Sequence, residues 1–372
     1  MPTYDIAVIG AGINGCTTAY HLHKAGKKVA IFDSKGIASG GSGAAGAFLS
    51  PKFAKGGELK ELINSSLDIA LDFYTTNFPE HINHHNLLHI AKEENDAKIL
   101  HYFKEHTDIE LLDNPPFIPE NEYVYTSKSA LVDAQSMCKA LIEGIEFYTQ
   151  EIDSLEFQDG VWILNESFRA KKVVIATGAY EHQFFTQPYQ MLRGIWGHRI
   201  DIKTSTKNDI SIHQFVSISA ATNRMLSIGA THNVHYHPQR SKEPYNLEEG
   251  REELLEKASR TLELQDVEVI KDYVGLRSGS FDYLPIVGEV VDIEQSLKLL
   301  NKKDIYQKKP DLSKAIAFEN LYMINGSAGY GYVLAPYLAQ TLAKNILEEE
   351  SIPSSLNPAR FFFRWAKGER KD

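Results

Sequence analysis

Three glycines in Gly10-Ala-Gly12-Ile-Asn-Gly15 stand directly after an apolar run over residues 6–9. That spacing suits the diphosphate of a dinucleotide. Gly10 allows a tight turn off a strand, Gly12 lets the backbone approach the pyrophosphate, and Gly15 lets the next helix pack closely on the strand. Ile13 and Asn14 fall in the first helical turn, where free N–H groups and the helix dipole favour negative charge. A second apolar run, residues 29–32, ends at Asp33, 18 residues beyond Gly15, with Ser34 next to it. An acid at that place accepts hydrogen bonds from a ribose hydroxyl. The other residue placed to do chemistry is Arg277, in the run Gly-Leu-Arg-Ser-Gly. A guanidinium flanked by small residues grips a carboxylate through two parallel hydrogen bonds.

These groups need rigid elements to hold them. Residues 36–50 are almost all small, so backbone there can lie against a large flat ligand, with Ser42, Gly43 and Ala47 along it. The spacing of apolar residues predicts helices over 58–77, 134–142, 247–264 and 333–347, and a strand over 146–149. Residues 172–180, KVVIATGAY, read as a strand buried on both faces that ends in a glycine turn at Ala176 and Gly178. From 193 to 235 the pattern alternates as in an antiparallel sheet, and 272–279 returns as a strand. Near the C-terminus a strand at 321–324 leads through Gly326, Gly329 and Gly331 into a helix, repeating the strand–glycine–helix order of the N-terminus. The nucleotide-binding unit is therefore expected to be discontinuous, over residues 1–75, 125–188 and 318–372. A second unit over 76–124 and 189–317 would bind substrate. The expected fold is α/β: a Rossmann-like, mostly parallel sheet beside an α+β unit on a largely antiparallel one.

Composition narrows the function. At 372 residues the chain exceeds what one core usually supports. No apolar run spans a membrane, no leader-like segment precedes the first strand, and the expected compartment is the cytoplasm. Cys16 and Cys138 are too few for a disulfide framework. Net charge is −10, the wrong sign for a protein that coats nucleic acid. Two segments run against it: residues 298–314 hold six lysines and two aspartates, and Arg360, Arg364, Lys367, Arg370 and Lys371 face only Glu369. Each is either a solvated edge or a local polyanion site. His232, His235 and His237 lie on a strand end with no thiolate or carboxylate cluster, so no metal is expected. The run HHNLLH at 84–89 reads as a polar surface turn.

The order GAGING…Asp33, ATG at 176–178, the strand-borne GLRSG and the closing glycine unit resembles the D-amino-acid oxidase family of FAD-dependent oxidoreductases over nearly the whole chain. Within it, SGAAGAFLSP (42–51), LSIGATH (226–232), GLRSGSFDYLPIVGEV (275–290), GSAGYGYVLAPYLAQTLA (326–343) and LNPARFFFRWAKGER (356–370) are similar to the oxidase module of bifunctional tRNA-modifying proteins. The resemblance implies FAD, held by Gly10, Gly12, Ile13, Asn14, Gly15, Asp33, Ser34, Ser42, Gly43, Ala47, Ile152, Ala176, Gly178, Gly329 and Gly331. It implies hydride transfer from an amine without a side-chain base, with Arg277 on the substrate carboxylate and Tyr330 or Tyr332 lining the pocket. The substrate implied is the carboxymethylaminomethyl group of a wobble uridine in tRNA, cleaved to the aminomethyl base and glyoxylate, with oxygen as electron acceptor. The basic segments would hold tRNA, and a separate methyltransferase would act next, since no such module precedes the first strand here. The glycine loop departs from that module in carrying no basic residue. The alternatives are an oxidase or dehydrogenase for glycine, sarcosine or a D-amino acid, and a flavin-holding scaffold without catalysis.

Overall fold

The computed structural model describes residues 1–180 and 187–369. The β-branched runs read from sequence form the centre of a parallel sheet. Thr3–Ile9 lies between Phe168–Ile175 and Val29–Asp33, parallel to both, and Ile9 is level with Phe32 on one side and Ile175 on the other. The chain therefore turns at Gly10, Asp33 and Ala176 side by side, on the carboxyl edge where open α/β sheets bind ligands. Glu146–Thr149 extends the sheet beyond Asp33, and Ala317–Asn325 extends it beyond Ile175, again in parallel. Ile286–Val291 caps the edge antiparallel to Ala317–Asn325. That strand, grouped with the second unit by sequence, thus belongs to the first sheet.

Ile13–Lys24, Glu58–Asn77 and Gly331–Glu348 cover one face, packing Leu22, Leu67, Leu338 and Leu342 around Val8 and Ile31. The long C-terminal helix holds Pro336, which cannot donate to the carbonyl of Tyr332 one turn earlier. The Tyr74 hydroxyl donates to that carbonyl instead, at 3.0 Å. Ala359–Glu369 covers the opposite face and buries Phe361, Phe362 and Phe363. The FFF run is thus core packing.

The second sheet is mostly antiparallel. Its order is Glu268–Ser280, Leu192–Lys203, Met225–Gly229, Ser217–Ile218, Ser211–His213, Leu87–Ile90, Tyr123–Thr126. Ser211–His213 and Leu87–Ile90 run parallel. The expected polar turn at 84–89 is corrected here: its second half is a strand with Leu87 and Leu88 fully buried. Adjacent leucines fill the two faces of this strand, whereas the histidines around them carried the polar reading. The helix expected to reach 264 stops at Ser259; Asn246 caps its start by accepting from the N–H groups of Glu248 and Glu249.

Candidate active site

A cavity of about 830 Å³ runs from the carboxyl edge of the parallel sheet to the face of the second sheet. Gly10, Gly12, Ile13, Asn14, Asp33, Ser34, Ser42, Ala47, Ile152, Ala176, Gly178, Arg277, Gly329, Tyr330, Gly331 and Tyr332 all border it. Gly15 and Gly43 do not; they are packing positions. A Cβ on Gly15 would stand 2.0 Å from the Gly10 carbonyl oxygen, and one on Gly43 2.0 Å from that of Ala38. Gly10 has φ +107°, and a Cβ there would meet the Ala176 carbonyl at 2.4 Å. The first turn, the Ile13–Lys24 helix and the ATG turn thus lock together through absent side chains.

Asp33 and Ser42 hold the glycine loop. Asp33 Oδ2 accepts from the Ala11 N–H at 2.9 Å, while Oδ1 accepts from the N–H groups of Lys35 and Gly36. Ser42 Oγ accepts from the Ile13 N–H at 2.9 Å. On the far wall Asn325 donates to the Gly178 carbonyl and accepts from Ser278 Oγ, tying the two sheets together beside the cavity.

Arg277 lies opposite Ile195 on the Glu268–Ser280 strand, and its side chain borders the cavity. Nη1 donates to the Thr231 carbonyl at 3.1 Å, and no carboxylate among the described residues pairs with the guanidinium. Burial pulls its pKa below the usual value, and no neighbouring charge opposes that shift. Arginine stays protonated even so. A half-buried cation without a carboxylate partner in a cavity wall is a ready seat for an arriving anion.

The two tyrosines part company. Tyr330 turns its hydroxyl to Lys52 Nζ, 3.1 Å away, so a lysine from another segment supplies the positive charge that the glycine loop lacks. Tyr332 borders the cavity, but its hydroxyl is turned into the protein. Its hydroxyl is buried, donates to the Ala134 carbonyl at 2.7 Å and lies 3.4 Å from Cys138 Sγ. The same hydroxyl lies 3.2 Å from the Ser42 carbonyl oxygen, so it ties the Gly41–Ala44 turn to the Ala134–Leu141 helix. Sequence reasoning missed Lys52, Tyr180, His89, His213 and Asn325, all of which border the cavity. Asn325 could have been found as a polar residue ending a buried strand; the others carry no local signature.

The basic segments are partly engaged within the protein. Arg360 is held by Asp282 through Nε and Nη2 at 3.0 and 3.1 Å and also donates to the Leu284 and Pro285 carbonyls. Lys298 pairs with Glu294 and Lys314 with Asp304. Arg370 and Lys371 lie outside the described residues. Lys302, Lys303, Lys308, Lys309 and Arg364 are exposed. The two segments meet in space, because Lys367 Nζ donates to the Gln307 carbonyl at 2.8 Å.

The family model for FAD-dependent oxidoreductases (DAO) matches residues 5–345. The chain belongs to that family. It is a FAD-dependent oxidoreductase of the amino-acid and amine oxidase type, and the cavity fits its cofactor. A Cβ on Gly178 or Gly329 would meet no protein atom within 4 Å, which leaves open space for a flat ring against the backbone. Among curated relatives of this DAO-family chain is the tRNA 5-methylaminomethyl-2-thiouridine biosynthesis bifunctional protein MnmC of Campylobacter concisus, 26% identical over 97% of the chain. The corresponding protein of Legionella pneumophila is 25% identical over 95%. The chain spans only 59% and 56% of those relatives. Among solved structures, glycine oxidase from Bacillus cereus superposes with TM-score 0.74 at 22% identity, covering 94% of this chain and 96% of that one. Iminodiacetate oxidase from Chelativorans sp. superposes with TM-score 0.69 at 18% identity, covering 95% and 98%. These likenesses show a common fold. No helix among the described residues is long and apolar enough to cross a membrane.

Proposed function

We propose that this chain oxidises an N-substituted glycine, and that its substrate is the carboxymethylaminomethyl side chain of a uridine in tRNA. The observation that carries this reading is Arg277, a half-buried guanidinium without a carboxylate partner among the described residues, in the wall of the cofactor cavity. A substrate of form R–NH–CH2–COO⁻ brings the missing anion and sets the methylene a fixed distance from it. The methylene carbon loses one hydrogen with two electrons, a hydride, and the nitrogen loses a proton, giving R–N=CH–COO⁻. Water adds to the imine carbon, the C–N bond breaks, and R–NH2 and glyoxylate leave. Bound FAD supplies the two-electron acceptor, with oxygen as the final one. Gly10, Gly12, Ser42, Asp33, Ile152, Gly178, Gly329 and Gly331 would hold it, while Arg277 orients the carboxylate.

The exposed lysines at 302, 303, 308 and 309, in a segment that meets the C-terminal helix at Lys367, support a polyanion contact on an otherwise acidic protein. The names of the relatives support tRNA as its source, with the reaction placed in the cytoplasm. A second reading, a glycine, sarcosine or D-amino-acid oxidase, is favoured by the net charge of −10. Anaerobic mixing with glycine, sarcosine, D-alanine and tRNA bearing carboxymethylaminomethyluridine separates the two. Bleaching of the flavin absorbance by the tRNA, with glyoxylate released, is expected. Rapid bleaching by free amino acids with none by the tRNA selects the second reading.

A further inference from the structure

The cavity that holds Arg277 does not stop there. A second cavity of about 340 Å³ adjoins it, and the two share Phe53, His89, His213, Ser217, Gly229 and Ala230 as wall. Arg277 borders only the larger one. Four rings follow one another at the junction. Phe48 meets His213 with centroids 4.9 Å apart, His213 faces His89 at 6.0 Å, and His89 lies on Phe53 at 4.4 Å.

Neither imidazole makes a hydrogen bond to any described residue, and His89 Nδ1 and His213 Nε2 are fully buried without a partner. Burial pushes their pKa values down to about 3 and about 4, so both rings are uncharged at neutral pH. A neutral imidazole offers one donor and one acceptor, which suits an amide-like edge and gives a phosphate no charge to pair with. Lys92 and Asp96, of opposite sign, both border the second cavity, and Leu100, Phe215 and Val216 complete an apolar wall. The chamber thus sets aromatic rings beside a polar wall from Lys92, Asp96, Gln214 and Ser217, with unspent hydrogen-bonding capacity at its entrance.

We propose that this second cavity, entered across His89 and His213, is a subsite for a flat, uncharged ring with an amide edge, carried on the substrate nitrogen: a pyrimidine base of the uracil type. The proposal rests on the reading of the reaction above, which places the glycine carboxylate on Arg277. With the carboxylate there, the substituent on nitrogen has to leave the first cavity, and the shared wall is where the two spaces meet. Stacking on the ring row is the usual way a protein holds an unpaired base. Glycine and sarcosine have nothing to place in this chamber, so binding energy realised there separates an N-substituted glycine from a simple one.

The test uses the holoenzyme, with 5-carboxymethylaminomethyluridine as the free nucleoside and sarcosine as competing substrates. Wild type, His89→Phe and His213→Phe are compared by kcat/KM, and binding of the product nucleoside 5-aminomethyluridine is measured by calorimetry. Wild type is expected to favour the nucleoside by roughly tenfold or more. Each substitution lowers the ratio of the two kcat/KM values by about tenfold and weakens product binding by a similar factor. His213→Gln, which keeps a donor and an acceptor, recovers part of both. An unmoved ratio and unmoved product binding in both variants overturn the subsite and leave the oxidase reading standing. If neither compound is oxidised by wild type, the reading of the reaction falls, and the subsite with it.

Discussion

The Arg277 guanidinium lies so close over Gly197 that a Cβ on the glycine would stand 2.5 Å from Nη2 and 2.7 Å from Cζ. Gly197 pairs with Gly275 on the neighbouring strand, two residues before Arg277. Removing one side chain therefore gives the cation its seat, and the two strands fix its distance from the cofactor loop.

Gly197→Ala is expected to displace the guanidinium while the fold and the FAD content hold. A positioning error of this kind lowers kcat/KM for an N-substituted glycine by roughly tenfold or more. Steady-state kinetics beside the flavin-to-protein absorbance ratio check it; unchanged kinetics would show that Arg277 does not bind the carboxylate.

Arg360→Ala leaves Asp282 without its partner in a partly buried pocket, where the pair now holds the carboxyl below its ordinary range despite burial. The expected cost is about 2–3 kcal/mol, discounted for the exposure of Asp282. It appears as a lower urea midpoint with an unchanged salt dependence of tRNA binding. A loss of tRNA affinity at full stability would instead make Arg360 a phosphate contact.

His21 sits between the rings of Tyr20 and Phe73 with Nε2 buried and unpartnered. Burial pushes its pKa down to about 4, below the 6.5 of a free histidine. Between those values the unfolded chain binds a proton that the folded chain does not. This contribution to stability is intact above about pH 6.5 and is lost as pH falls towards 4, by about 1 kcal/mol per pH unit. His21→Phe removes the penalty, so its melting temperature should exceed wild type by more at about pH 5 than at about pH 7.5. An equal difference at both would refute this.

Tyr332→Phe abolishes the hydroxyl contacts to Ala134 and Cys138. A loss of about 1–2 kcal/mol in stability with kcat within about twofold of wild type is expected. A large fall in kcat at full stability would return Tyr332 to the reacting centre.

The cofactor half of the site was legible because its signal is local. Gly10, Gly12, Asp33 and Ala176 end strands whose apolar runs declare themselves, and parallel pairing brings those ends together. Arg277 was legible through its small neighbours, although the Gly197 beneath it comes from another strand. The substrate half was not. His89, His213 and Lys52 come from three separate segments, and only the pairing of Leu87–Ile90 with Ser211–His213 sets the histidines side by side. In sequence the first of them belonged to a run that read as surface. The C-terminal segment left two readings open. Its basic residues read as either a solvated edge or a polyanion site, whereas Arg360 is paired with Asp282 and the three phenylalanines lie in the core.

On the proposed function, Arg277 holds the carboxylate of an N-substituted glycine beside FAD. Anaerobic stopped-flow reduction of wild type and Arg277→Ala by 5-carboxymethylaminomethyluridine tests it directly. Both proteins are expected to carry FAD equally, and flavin bleaching in the variant is expected to be slower by about a hundredfold or more at the same substrate concentration. An Arg277→Ala enzyme that bleaches as fast as wild type would contradict it.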